Sequence, residues 1–411
     1  MAFRASSPGR CAQRWLRGLL IGTLVTLGAV AGRALVEEPP PAPGSGTPVT
    51  WRGWSFRWSV RGREGLVLTD VSFQGRTVMK YAGLEEIFVP YDQGQPRPED
   101  SLDGMGKNLM PLVPGLDCAS GTACQMYDAL GKPSAKPVVA LHEESAGLSY
   151  VGPDGARGTA KMLVIWCSSK LGNYVYLTRW RFRDDGLFMP QVGLTGRLEQ
   201  TRPGDASSEY GSLVQRQPQK VFAPSHVHNF YYRLDVDVDG PGNDAVEEFN
   251  HRQTDPGRSL TSEDAWTQIR TETGRPLNGE TFRSWRVVDR TSVNSLGHPR
   301  SWELMPGGNG TFRGASTEAF TQSDFWVARY RPLELPLSSG DPRPVRRALP
   351  SYLDGESVVD QDVVLWYALH VHHLPRTEDW PAMPIVWAGF DLMPRDVTDG
   401  SPVPPQLPTN R

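Results

Sequence analysis

The sequence predicts a mainly β protein, and two observations carry that prediction. Glycine (42) and proline (36) make up nearly a fifth of the 411 residues, and segments with helical spacing are scarce. Short apolar stretches instead alternate with polar residues at every second position, which is typical of strands that bury one face. A chain of this length can bury a substantial core, so many strands with short turns indicate a sandwich or a barrel.

The first 35 residues resemble a secretory signal. An apolar run over residues 19–31 follows several arginines, and Ala29-Val30-Ala31 fits a small-x-small cleavage site. The run has thirteen residues, whereas a spanning helix needs ~20. We therefore expect cleavage and a secreted or periplasmic protein; the alternative is an uncleaved N-terminal membrane anchor facing outside. Residues 36–50 are predicted to be a Pro/Gly-rich linker.

The net charge argues against one class of partner. The net charge of -3 and the pI near 6.3 do not indicate a strongly basic surface, which argues against nucleic acid as a partner.

Cys118 and Cys124 are close enough in sequence to close a small loop in an oxidising compartment. Cys167 lies in an apolar strand pattern and is expected to be a buried thiol.

The strand pattern recurs along the chain. In the first strand, Trp54, Phe56 and Trp58 share one face and Ser55 and Arg57 the other. One short helix is predicted at 261–270, behind a capping residue. Further strands are predicted at residues 66–73, 77–81, 86–91, 138–142, 163–168, 174–183, 188–198, 221–238, 284–288, 325–330, 363–373 and 385–392.

A histidine pair is the strongest chemical signal. His226 and His228 lie two apart on a predicted strand, so both rings point the same way, on the face that continues with Phe230. Imidazoles in a core need partners, and an all-imidazole site suits copper or zinc. The alternative is two hydrogen-bonded histidines at the edge of a core. A third histidine is available at His370, His372 or His373, and spacing alone does not choose.

The same strand carries acids on its opposite face. That face carries Asp235, Asp237 and Asp239, and Val236 and Val238 lie between them in the sequence. Carboxylates on one face can hold a hard cation with ligands from elsewhere; the alternative is a solvated strand edge.

Ordered motifs from about residue 54 to 392 resemble the copper-containing amine oxidases. The motifs are Asn173-Tyr174-Val175-Tyr176, His226-Val227-His228, and His373 ahead of Glu378-Asp379-Trp380-Pro381, with Val89-Pro90-Tyr91 upstream. The resemblance implies that residues 51–411 form that family's catalytic domain, a large antiparallel β-sandwich. It also implies a homodimer.

The resemblance assigns roles by position. Tyr174 would be the precursor of topaquinone, and Tyr91 would hydrogen-bond the quinone oxygen. Asp100 is the best match to the catalytic base, with Asp103 second. The copper ligands would be His226, His228 and His373, and the ligands of a second cation, calcium or manganese, would be the side chains of Asp235, Asp237 and Asp362 with the carbonyls of Val236 and Val363.

The implied activity is oxidation of a primary amine by oxygen to an aldehyde, with release of ammonia and hydrogen peroxide. Two departures favour an alternative, a non-catalytic metal-binding relative: Val175 replaces the usual acid, and the loop that carries Asp100 is shorter than in the family. A second alternative, suggested by 13 tryptophans, is a sugar-binding sandwich. Against it, Trp54, Trp58 and Trp180 lie in strand patterns where core packing is expected.

Overall fold

The computed structural model describes residues 42, 44–91, 104–118, 123–200, 211–253, 262–308, 310–332, 334 and 349–403. All of them belong to one compact unit, Glu37–Arg411. The predicted signal or anchor at 1–35 lies outside the described residues. Within the described ranges, no helix has the length and apolarity needed to cross a membrane.

An antiparallel sheet of eight strands forms one layer. Four consecutive strands at one side come from the start of the chain, and the centre of the sheet pairs strands that are distant in sequence. In spatial order the strands are β1 (Thr47–Trp51), β2 (Trp54–Arg61), β3 (Gly65–Phe73), β4 (Arg76–Phe88), β12 (His226–Val236), β19 (Val363–His373), β18 (Phe325–Arg329) and β15 (Thr273–Arg275).

An eleven-stranded antiparallel sheet forms the second layer. In spatial order its strands are β14 (Ser262–Ile269), β13 (Asp244–Gln253), β16 (Ser284–Val293), β17 (Pro299–Met305), β21 (Asp391–Arg395), β9 (Phe188–Gly196), β8 (Tyr174–Arg183), β7 (Arg157–Leu171), β6 (Val139–Val151) and β5 (Cys124–Tyr127), with β20 (Met383–Gly389) also paired to β9. A separate hairpin joins β10 (Ser212–Gln215) and β11 (Val221–Ala223), and short 3-10 helices lie at Gly106–Asn108, Gly279–Thr281, Ala319–Gln322 and Thr377–Asp379.

The core lies between the two sheets. Trp180 of β8 packs edge to face against Tyr232 of β12, with ring centroids 5.9 Å apart. Trp54 of β2 packs against Phe182 of β8 in the same way, at 5.2 Å. Each of these rings is buried because strand alternation turns every second side chain inward. The predicted mainly β fold, an antiparallel sandwich, is confirmed, and the buried tryptophans pack the core as expected.

Two predicted elements differ in the structure. The helix at 261–270 is wrong: Ser262–Ile269 is strand β14, paired with β13. Trp266 of β14 pairs with Phe249 across the strands, at a ring distance of 5.2 Å. This cross-strand contact overrides the local capping signal. In addition, β1 begins at Thr47, inside the segment predicted as linker, because it pairs with β2.

The cysteines behave as the spacing predicted. Cys118 and Cys124 form a disulfide, and Cys167 is a buried free thiol. Burial raises the pKa of the Cys167 thiol to about 12, so it stays protonated and unreactive at neutral pH.

Candidate metal centre

Strand pairing places three histidines at one end of the core. Strands β12 and β19 are antiparallel neighbours, and His226 lies directly opposite His373 in their register. His228 lies two residues further along β12, on the same face. Tyr174, the first residue of β8, reaches this point from the facing sheet. The sandwich therefore gathers residues from both layers around one small volume.

Nitrogen atoms of the three imidazoles converge within that volume. Nε2 of His226 lies 3.0 Å from Nε2 of His228, and one nitrogen from each histidine falls within 4.8 Å of the others. The Tyr174 hydroxyl lies 2.7 Å from Nε2 of His226 and 3.1 Å from Nδ1 of His373. Three imidazole nitrogens facing one point, with a phenol beside them, form a donor set that fits copper.

Burial keeps the imidazoles of His226 and His228 neutral. His226 and His228 are 1% and 0% exposed. Burial is the main cause that lowers the pKa of His226 to about 4 and the pKa of His228 well below its ordinary value, and the neighbouring histidines add to it. Neutral imidazoles carry the lone pairs that a metal ion requires. The pair is therefore ready to bind a cation at neutral pH.

Outer hydrogen bonds decide which nitrogen faces inward. Nδ1 of His226 donates to the Pro224 carbonyl at 3.0 Å. Nε2 of His373 donates to Oδ2 of Asp379 at 3.1 Å, and the Tyr176 hydroxyl lies 3.2 Å from Nδ1 of His228. Such partners fix the ring orientation and the tautomer of ligating histidines. No local sequence pattern predicts these three roles, although Tyr176 and Asp379 lie inside the motifs.

Replacing Asp379 with asparagine tests this arrangement. Hydrogen bonds from His373 and Arg376 hold the pKa of the Asp379 carboxyl below its usual range against the opposing effect of burial, so it is an anion at neutral pH. Its loss should weaken copper binding about 10- to 100-fold, the usual effect of an outer-shell partner. Competition with a chelator measures the affinity. Glu378→Gln, at the exposed neighbouring acid, should leave it unchanged; equal losses in both variants would contradict the role.

A tight hairpin presents Tyr174. Leu171 pairs with Tyr174 across the two-residue turn Gly172-Asn173. Gly196 of β9 supports the turn from the other side, at φ +109°. A side chain there would place its Cβ 2.6 Å from the Asn173 carbonyl oxygen, so only glycine fits.

Val175 points away from the site. Strand alternation turns it to the other face of the sheet, where it packs against the apolar cluster that includes Leu112 and Leu177. The exchange of the family's acid for Val175 therefore changes that apolar face and leaves the histidine side of the strand untouched.

The remaining site predictions have mixed outcomes. Tyr91 lies against His226, with ring centroids 4.5 Å apart. Asp100 and Asp103 lie outside the described residues. His370 is directed elsewhere, because its ring contacts Asn229 and Asp324 on the opposite face of β19.

The acidic face of β12 is buried. Carboxylate oxygens of Asp235, Asp237 and Asp362 lie within 4.8 Å of one another, and Asp235 and Asp237 are 4% and 0% exposed. The alternative of a solvated strand edge is wrong for these two. Burial raises the pKa of Asp235 to about 7 and that of Asp237 to about 6, so these two carboxylates require nearby positive charge to stay ionised. Val236 and Val363, the other predicted ligands, adjoin these aspartates in the chain.

Comparison with known sequences decides the family. The family model described as "Copper amine oxidase, enzyme domain" matches residues 45–409. The chain belongs to the copper amine oxidase family. It is 31% identical over 395 residues to the histamine oxidase of Arthrobacter globiformis, covering 87% of this chain and 57% of that one. It is 30% identical over 408 residues to a copper-containing diamine oxidase of Nicotiana tabacum, covering 88% and 51%.

Solved amine oxidases share the fold. A copper-containing benzylamine oxidase from Hansenula polymorpha superimposes with a TM-score of 0.76 at 23% identity, over 92% of this chain and 66% of that chain. An amine oxidase of Aspergillus nidulans superimposes with a TM-score of 0.73 at 20% identity, over 95% and 57%. The chain spans just over half the length of the curated family members that it matches.

Proposed function

We propose that this protein is a primary amine oxidase that uses copper and topaquinone. The observation that carries the proposal is the convergence of His226, His228 and His373 on the hydroxyl of Tyr174. The reaction consumes a primary amine, oxygen and water, and yields an aldehyde, ammonia and hydrogen peroxide. Membership of the family supports it, and the relatives named above are all described as oxidases.

The three histidines would hold the copper, and Tyr174 would supply the quinone. When bound, copper supplies the redox centre that lets oxygen convert the Tyr174 phenol to a quinone, whose electrophilic carbonyl accepts the amine. The protein supplies position and a dry environment. Tyr174 is 3% exposed, and its ring lies parallel to that of Tyr176, 5.9 Å away. This packing limits the directions that the ring can take.

A small cavity adjoins the reactive ring. It has a volume of about 50 Å³ and is lined by Tyr174, His373, Leu194 and Met383 among others. A space of this size holds a few small molecules. We assign it to a small reactant that approaches the Tyr174 ring; its lining combines apolar side chains with the Asp379 carboxylate.

Asp100 is the proposed base, with Asp103 as the alternative. The segment that carries both follows Tyr91 directly in the chain, and Tyr91 lies on the His226 ring. Tyr91, the last described residue before this segment, therefore lies at the site, which supports the assignment. A carboxylate shielded from water there would be suited to take the proton from the carbon next to the amine nitrogen.

The acidic trio Asp235, Asp237 and Asp362 has the carboxylates of a second cation site, for calcium or manganese, but such an ion would compete with Lys80 for that position. Its three clustered carboxylates support a hard cation with oxygen ligands. The ammonium of Lys80, however, already lies 3.1 Å from Oδ2 of Asp237. A divalent ion would have to displace it.

The location and assembly are further proposals. The signal-like start supports a secreted or periplasmic protein, with membrane anchoring as the alternative, and the Cys118–Cys124 disulfide supports an oxidising compartment. The resemblance to the copper amine oxidase family supports a homodimer.

A redox-cycling quinone stain on the copper-loaded protein tests the proposed function. The holoprotein should stain and should release peroxide when given a panel of primary amines, whereas protein kept free of copper should do neither. The outcome against the proposal is a protein that binds copper yet neither stains nor oxidises any amine. That result would favour the non-catalytic relative.

A further inference from the structure

Three carboxylates share one small buried volume. Asp235 lies near the end of β12, Asp237 follows that strand, and Asp362 precedes β19. The pairing of Asp235 with Val364 in the β12–β19 register brings the three together. Arg233 offsets part of their charge, with its guanidinium 3.6 Å from Oδ2 of Asp235. Three negative charges against this one positive charge leave an excess of negative charge.

Lys80 supplies a second positive charge at this point. Its Nζ lies 3.1 Å from Oδ2 of Asp237 and 3.5 Å from Oδ2 of Asp362. Strand β4 holds it there, because its next residue, Tyr81, pairs with Asp235, and the amide of Asp237 donates to the carbonyl of Val78. The ammonium thus bridges two of the three carboxylates that would bind a cation.

We propose that the Lys80 ammonium takes the place of the second divalent cation in this chain. A calcium ion would lie about 2.3–2.6 Å from the same oxygens, so it and the ammonium would compete for one position. Like charges at such a distance repel strongly where water is scarce. The lysine is tethered to β4, which gives it a high effective concentration that a free ion lacks.

Removal of the ammonium should open a divalent site. Oδ1 of Asp235, both carboxylate oxygens of Asp237 and Oδ1 of Asp362 form no hydrogen bond with the described residues, and Oδ2 of Asp237 contacts Lys80 as an ion pair. One carboxylate oxygen of each aspartate lies within 4.8 Å of the others, so the three can act as ligands once the lysine is gone. The inference concerns this position alone and does not depend on the proposed oxidase activity.

Lys80→Met tests the proposal, because methionine keeps the apolar stem and removes the charge. Copper-loaded wild type and variant are equilibrated with calcium or manganese, passed through a desalting column, and analysed for metals. Wild type should retain copper alone. Lys80→Met should retain copper and one calcium or manganese ion per chain. Its melting temperature should rise with added calcium, whereas that of wild type should not move.

Two control variants isolate the charge. Lys80→Arg keeps the positive charge and should take up no divalent ion. Lys136→Met removes a charge at an exposed position and should also match wild type. Stoichiometric calcium or manganese in wild type would overturn the proposal, and so would a folded Lys80→Met that binds neither ion. If Lys80→Met fails to fold, the wild-type and Lys80→Arg metal contents decide the question. Failure of the oxidase proposal would appear separately, as a negative quinone stain.

Discussion

A Tyr174→Phe variant should bind copper normally and lose all amine oxidation. Phenylalanine keeps the ring that packs beside Tyr176 and against His228, at ring distances of 5.9 and 4.7 Å. It lacks the phenol oxygen, so no quinone can form. The outer partners of the histidines, Pro224 and Asp379, are untouched. Turnover should therefore fall to the uncatalysed rate while the metal content stays the same.

Quinone staining, copper content and peroxide release measure this outcome together. Tyr176→Phe is the matched control: it removes a hydroxyl from the same face of β8, 3.2 Å from Nδ1 of His228. It should bind copper more weakly, as expected for loss of an outer partner, and it should still stain when copper is saturating. Peroxide release from amines by Tyr174→Phe would show that the reactive group lies elsewhere in the chain.

Loss of His228 should remove the copper itself. The ring is fully buried, and its Nε2 lies 3.0 Å from Nε2 of His226. Replacing it with alanine leaves two imidazoles from different strands, which cannot enclose an ion. The affinity should fall by more than the 10- to 100-fold expected for an outer partner. Without copper the quinone should not form, so both signals should disappear.

His372→Ala provides the comparison for His228→Ala. His372 is exposed, and its Nε2 contacts the Ser225 hydroxyl at 3.0 Å. It should retain copper, as measured by metal analysis and by the electron paramagnetic resonance spectrum. The reverse pattern, in which His372→Ala loses copper and His228→Ala keeps it, would mean that the ligand set is different.

Strand alternation made much of the fold predictable. The alternation of Trp54, Phe56 and Trp58 predicted β2, and the apolar run that ends at His373 predicted the bounds of β19. Both patterns arise because each strand buries one face against the core. Strand β14 was missed because its stabilising contact, between Trp266 and Phe249, is made across strands. A sequence pattern carries no direct record of such a partner.

The candidate site was predictable in its residue types and less so in its surroundings. Strand periodicity put His226 and His228 on one face, but the choice of His373 over His370 came from the family motif. Periodicity could not foresee that the acidic face would be buried, since a covering layer depends on the rest of the fold. The contact between Lys80 and Asp237 also joins distant strands, so no local pattern signals it.

Because His226 pairs with His373, copper binding should favour the correct register of β12 and β19. A slip of β19 by one residue would turn His372 inward in place of His373. The misaligned ring would lack the anchor that Asp379 gives to His373. Copper should therefore bind the correctly aligned sheet more tightly and draw the population towards it by mass action. A chain that folds in the presence of copper should therefore contain a smaller fraction of molecules with a shifted β19 register than a chain that folds without copper.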